Sequence, residues 1–194
     1  MDKRILKTKK NLKDTLREML GKMTFDEITV KKICDESSTS RVTFYTHYKD
    51  KYDLMDDVAH DMIKMAQKEY IKLQEQNNSQ KDAISSYCNF LECILNMYCK
   101  NLEFFSHTTP HENPYLNFSF HKYIFKYLEI HTQKRSATLK PKYSVKQVAG
   151  FLCYGLWGFI NESLAERRPM EQIKIEAIAI LKKILRSEVL TENY

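Results

Sequence analysis

The reading of this chain turns on Thr29-Val30-Lys31-Lys32-Ile33-Cys34-Asp35-Glu36-Ser37-Ser38-Thr39-Ser40-Arg41-Val42-Thr43-Phe44-Tyr45-Thr46-His47-Tyr48. Thr29 stands before a brief apolar period, Val30, Ile33 and Cys34, and has the oxygen that an N-cap needs to bind a free backbone N–H. Ser37-Ser38-Thr39 breaks the period, and Ser40 is a second N-cap residue, opening a short helix to about His47 with Phe44 and Tyr48 facing inward. Two helices this close together are too short to pack independently, so the spacing predicts a helix-turn-helix over about 29–48.

Outward from it, Ile5, Leu12, Leu16, Met19 and Leu20 predict a helix over 4–22 with Gly21 as its C-cap, and Phe25 and Ile28 anchor the connection. Asp50 caps a long helix carrying Tyr52, Leu54, Met55, Val58, Met62 and Met65 to about Gln74. Further helices are expected over about 80–100, 115–133, 144–167 and 169–190, with 102–114 irregular around Pro110 and Pro114. The expected fold is all-α, about nine helices: a three-helix DNA-binding head over 1–51 joined by a long helix to a helical body over 52–194.

Composition agrees. Four Gly and four Pro in 194 residues leave little turn chemistry for sheets. No run of 18 apolar residues occurs, and the N-terminus leads into charge, so the reading is a cytoplasmic protein with no membrane association. Five cysteines without CxxC spacing favour reduced, buried thiols over a zinc site or a disulfide framework. The net charge of +6 is unevenly placed: residues 1–51 hold 13 Lys/Arg against 8 Asp/Glu, and the remainder 18 against 17. A basic head suits a polyanion, because phosphate neutralisation supplies most non-specific affinity; a solvated basic surface is the alternative.

The stretch from Ile28 to Glu36, continued by Ser40-Arg41-Val42-Thr43-Phe44-Tyr45-Thr46-His47-Tyr48-Lys49-Asp50-Lys51-Tyr52-Asp53-Leu54, closely resembles the DNA-binding signature of TetR/AcrR-family regulators, which are bacterial. The resemblance covers about residues 5–55 and implies that the rest is a ligand-binding and dimerisation body. A shorter likeness, Tyr154-Gly155-Leu156-Trp157-Gly158-Phe159, is to the dihydroxyacetone-kinase regulator-like subgroup of low-GC Gram-positive bacteria. One departure stands in the turn, where the family usually has Ala-Gly-Val or a similar trio. Ser38 falls where the family's Gly takes a left-handed backbone, at a cost of about 1 kcal/mol that a local hydroxyl bond would partly offset.

Major-groove reading needs the N-terminal residues of a short exposed helix to reach base edges. Arg41 is the candidate for guanine, Val42 for a thymine methyl, and Tyr45, one turn on, for a base or phosphate. Ser40 opens that helix as its cap; Thr43, His47, Lys51 and Thr29 suit backbone oxygens. Lys3, Arg4, Lys7, Lys9 and Lys10 are candidates for an arm on the DNA, or for a free basic tail.

In the body, Gly150, Gly155 and Gly158 fall inside one expected helix, and the next carries Ile173, Ala177, Ile178, Leu181, Ile184 and Leu185. Glycine is costly within a helix, so close approach by another helix is expected. Two such helices from each chain would pair as a homodimer through 144–167 and 169–190, reading a palindromic operator in double-stranded DNA. The aromatic middle, with Phe90, Tyr98, Phe104, Phe105, Tyr115, Phe118, Phe120, Tyr123, Phe125 and Tyr127, has room for a small apolar or aromatic effector, although plain core is the commoner use of any one of them. His107, His111, Glu112 and His121 are too scattered to specify a metal, and no cofactor is expected.

Three functions are compatible with this pattern. The leading one is a transcription repressor released by a small-molecule effector. The second keeps the DNA head but places the body under a protein coactivator. The third, a helical enzyme or carrier, lacks a nucleophile-base pair or a phosphate loop to support it.

Overall fold

The computed structural model describes residues 3–105 and 114–192, and among these the chain forms nine helices with no β-strand beyond an isolated bridge. They are α1 (Lys3–Leu20), α2 (Val30–Glu36), α3 (Arg41–His47), α4 (Lys51–Asn77), α5 (Ala83–Lys100), α6 (Leu102–Phe105), α7 (Pro114–Leu139), α8 (Val145–Ala165) and α9 (Met170–Arg186). No helix among the described residues is long and apolar enough to cross a membrane.

The chain divides into two compact units, 1–64 with 100–120, and 65–99 with 121–194. The head expected over 1–51 lies within the first, which also takes in the start of α4, α6 and the start of α7. Its centre is built by α1, which buries Leu12, Leu16, Met19 and Leu20, and by Phe25 and Ile28 of the following connection. From α2 come Ile33 and Cys34, from α3 Phe44, and from α4 Leu54, Met55 and Val58. Residues 102–105, expected to be irregular, form the one-turn α6 against α1. Phe104 and Phe105 are buried and meet Phe120 at ring distances of 6.5 and 5.5 Å. So short a helix has no period to read; its aromatic contacts hold it.

The second unit surrounds α5, in which buried positions recur on nearly every side. The later parts of α4 and α7 belong to it, with α8 packed against α9. Ile173, Ala177, Leu181 and Leu185 are the inward stripe of α9, while Val148, Ala149, Leu152 and Ile160 are buried on α8. α7 continues six residues past the expected end at 133, and its last residue, Leu139, is buried. Beyond α9 the chain turns back: Lys142 N–H donates to the Leu190 carbonyl and Glu192 N–H to that of Lys140, each at 2.9 Å, burying Leu190 and Thr191.

The helix ends differ from expectation in one respect. Gly21 has no left-handed backbone; no glycine has. The left-handed positions after α2, α7 and α8 are Ser38, Lys140 and Arg167, with φ of 51°, 43° and 56°.

Candidate nucleic-acid interface

The turn between α2 and α3 is a complete helix-termination motif. Ser38 N–H donates to the Asp35 carbonyl at 3.3 Å and Thr39 N–H to that of Cys34 at 2.9 Å, the crossed pair that closes a helix on a left-handed residue. The expected hydroxyl compensation at Ser38 is not among the bonds of the described residues. Ser37 and Thr39 provide the local hydroxyl contacts instead, to the carbonyls of Cys34 and Ser37. Asn11 of α1 then donates to the Ser37 carbonyl at 2.7 Å, tying the turn to the first helix.

Both expected caps form. Thr29 Oγ1 accepts from Lys32 N–H at 3.2 Å, and Ser40 Oγ accepts from Thr43 N–H at 3.1 Å while lying 2.9 Å from Thr43 Oγ1. α3 is held by one side only. Phe44 is fully buried and Tyr48 nearly so, whereas Arg41 is exposed and Val42 and Tyr45 are 80% and 58% exposed. A seven-residue helix that buries one aromatic and turns an Arg, a Val and a Tyr to solvent has the form of a reading helix. Ser40 and Thr29 are exposed at their helix starts, and Thr43 and His47 are half-buried.

Lys51 departs from its expected place. Its ammonium donates inward, to the carbonyls of Phe25 at 2.7 Å and Ile28 at 2.9 Å, and stands 4.5 Å from the centre of the Phe25 ring. Burial lowers its pKa, with Asp26 opposing. The structure therefore groups Thr29, Ser40, Arg41, Val42, Thr43 and Tyr45 around the starts of α2 and α3, and gives Lys51 the separate work of closing the connection before α2. The basic N-terminal arm is also changed in character. From Lys3 it is helical, and Lys9 is engaged with Asp57 at 3.7 Å and with the Tyr48 ring at 4.9 Å.

What sequence reasoning missed is how α3 is locked from behind. Tyr48 Oη donates to Asp57 Oδ2 at 2.7 Å, and Lys13, 3.6 Å from Asp57, also pairs with Asp61. Burial acts to raise the Asp57 pKa, but the Tyr48 bond and the charges of Lys13 and Lys9 outweigh it and hold the carboxyl below its usual range. For Tyr48 both burial and Asp57 push upward, so the phenol stays protonated as a donor. Asp57 and Asp61 lie one turn apart on α4 and face Lys9 and Lys13 one turn apart on α1, the only signal in the sequence for this clamp.

In the second unit a narrow, open cleft lies among α5, α7, α8 and α9. Its walls are almost wholly apolar and include Phe90, Ile94, Leu128, Leu152, Trp157 and Leu181. Of the scattered metal candidates, His107, His111 and Glu112 lie outside the described residues. His121 sits with its Nε2 4.0 Å from Cys153 Sγ, its pKa lowered by burial.

No protein-family model matches the sequence, and no curated protein does. Solved structures do match in shape. A TetR-family transcriptional regulator from Syntrophomonas wolfei superposes with a TM-score of 0.74 at 10% identity, covering 94% of this chain and 97% of that one. The fatty acid degradation regulator FadR from Bacillus halodurans does so at 0.66 and 10% identity, over 95% and 97%. Reduced NemR from Escherichia coli does so at 0.59 and 15% identity, over 91% and 96%. From first helix to last, the chain has the fold of TetR-family transcriptional regulators.

Proposed function

We propose that this protein is a sequence-specific DNA-binding transcription regulator that works as a homodimer and represses until a small apolar or aromatic effector enters the α5/α7/α8/α9 cleft. The observation that carries the reading is the exposed Arg41, Val42 and Tyr45 on a helix clamped from behind by Phe44 and Tyr48. Arg41 pairs with guanine, Val42 meets a thymine methyl, and Thr29, Ser40, Thr43 and Tyr45 position the helix on phosphates. His47, half-buried at the last turn of α3, is kept as a backbone contact; Lys51 acts through the connection it holds.

Purified protein incubated with sheared genomic DNA should retain a small set of fragments, whose sequences define the operator. On that operator Arg41→Ala should weaken binding by roughly 1–3 kcal/mol and relax preference at one base position. Equal losses on operator and random duplex would remove Arg41 from base reading, and failure of the wild-type chain to retain DNA at low salt would remove the function.

The homodimer reading draws support from α8. A Cβ built on Gly155 or Gly158 would meet nothing within 4 Å, so neither glycine is explained by packing inside the chain. Around them Phe151 and Tyr154 are 51% and 61% exposed, and Ile175 of α9 is 67% exposed. Pairing α8 and α9 with a second copy would cover this face. In the coactivator-type reading suggested by Tyr154–Phe159 the same face takes a different protein. Sedimentation of the purified chain separates the two, since a monomer at micromolar concentration favours the second.

A further inference from the structure

α1 begins well before the core of the head does. Between Lys3 and Asn11 no residue is buried, Ile5 and Leu6 standing 37% and 49% exposed, and the first buried side chain is Leu12. The stretch holds five cations, Lys3, Arg4, Lys7, Lys9 and Lys10, and no acid. It is fixed in place nonetheless. Lys9 reaches Asp57 at 3.7 Å and stands 4.9 Å from the centre of the Tyr48 ring, at the end of α3. Asn11 donates to the Ser37 carbonyl in the turn before α3, and Thr8 Oγ1 donates to the Arg4 carbonyl at 3.1 Å. The two turns ahead of Asn11 thus continue as helix from points tied to both ends of α3. From Asn11 to Lys3 the helix rises roughly 12 Å, the rise of three to four base pairs.

Lys3, Lys7 and Lys10 stand at i, i+4 and i+7 and so share one face, away from the side that buries Leu12, Leu16 and Met19. All three are exposed, and none joins an ion pair among the described residues. This placement works against the helix itself. The first turn of α1 has cations and no acid, at the end where the peptide dipole is already positive. Like charges three and four residues apart also repel. A row of closely spaced negative groups offsets both costs at once, which a single small anion does not.

We propose that the start of α1 is a second DNA-contacting element, a rigid stripe whose Lys3, Lys7 and Lys10 bind backbone phosphates beside the bases that α3 reads. The inference rests on the head being a DNA reader. Because the stripe is helical and held at Lys9 and Asn11, it meets phosphate oxygens and carries no base preference. A flexible arm would enter the minor groove instead and favour A·T pairs there.

The test compares the full chain with the triple variant Lys3→Ala/Lys7→Ala/Lys10→Ala on an operator duplex selected from genomic DNA, with affinity measured at several salt concentrations. Alanine suits exposed helix positions, so circular dichroism should show the helicity kept. The slope of log affinity against log salt should flatten by about 2 to 3 per chain, on operator and random duplex alike. Lys3→Arg/Lys7→Arg/Lys10→Arg should keep the wild-type slope. On operators carrying single uncharged methylphosphonates, the wild type should lose affinity at positions where the alanine variant no longer does. An unchanged slope, identical methylphosphonate profiles, or a loss that follows the A·T content beside the half-site would each overturn the proposal. So would pelleting with phosphatidylglycerol vesicles that the alanine variant loses while its DNA binding stays intact. Failure of the wild-type chain to bind any duplex at low salt is a different result, and refutes the DNA-reading function itself.

Discussion

Ser38 shows how one residue can sit against its own preference without damaging the motif around it. Its φ of 51° costs a β-carbon-bearing residue about 1 kcal/mol. The crossed bonds to Asp35 and Cys34, with Asn11 on the Ser37 carbonyl, are made by the backbone and are the same for any residue there. Ser38→Gly should therefore raise stability by up to roughly 1 kcal/mol, read as a higher urea midpoint with an unchanged slope. A lower midpoint would mean that the serine hydroxyl contributes something the geometry does not show. Lys51 is the converse case. Its identity and register are those of a phosphate contact, yet its ammonium is spent on the Phe25 and Ile28 carbonyls, a destination that depends on where α4 begins beside residues 25–28.

Among the elements, α7 carries the least readable pattern, since its polar last third, Gln133-Lys134-Arg135-Ser136, has no apolar period. Its contacts with α5 explain why it continues: His131, Thr132 and Arg135 all bond or pack onto Ser86 and Tyr87. This contact makes a pH dependence. His131 is neutral in the fold down to about 3, while the unfolded chain takes up a proton near the ordinary histidine value of ~6.5. Above that value neither state is protonated and the stability is complete. As pH falls from ~6.5 toward about 3 only the unfolded chain gains the proton, so stability drops by up to ~1.4 kcal/mol per pH unit. Thermal melts at pH 7 and pH 5 should show this loss, and His131→Gln should reduce it; an unchanged difference between the two pH values would exclude His131 as its source.

At the scale of the whole molecule, the proposal to test is the pairing of two chains. Gly155 and Gly158 face open space in the single chain, so side chains there are tolerated by the monomer and obstruct a neighbour. The double variant Gly155→Leu/Gly158→Leu should keep its helicity, sediment as a monomer, and lose affinity for a two-half-site operator while keeping weak binding to one half-site. A variant that sediments as a dimer would move the interface off α8. In an intact dimer the two copies of α3 must meet major grooves roughly 34–36 Å apart or a multiple of that distance, so inserting half a turn between half-sites should cost most of the specific binding.

The sequence by itself determined what depends on local chemistry. Thr29 and Ser40 cap because their oxygens are two or three residues from free N–H groups, and Phe44 points inward while Arg41, Val42 and Tyr45 point out because a 3.6-residue period separates them. Those facts placed α2, the turn and α3, and named the exposed face. Only the tertiary structure decided the partners that come from far along the chain. Asp57 behind Tyr48 is the near case, nine residues away and reached only once α4 folds back beside α3. Arg135 with Tyr70 and Ser86, the turn of α6 on α1, and the inward Lys51 are the distant ones. A charged side chain of four or five bonds reaches whichever acceptor the packing brings near it, and its own sequence neighbours say little about which that is. That is why α3 and its exposed face were legible from residues 29–48 alone, while its clamp and the Tyr70–Ser86–His131–Arg135 cluster were not.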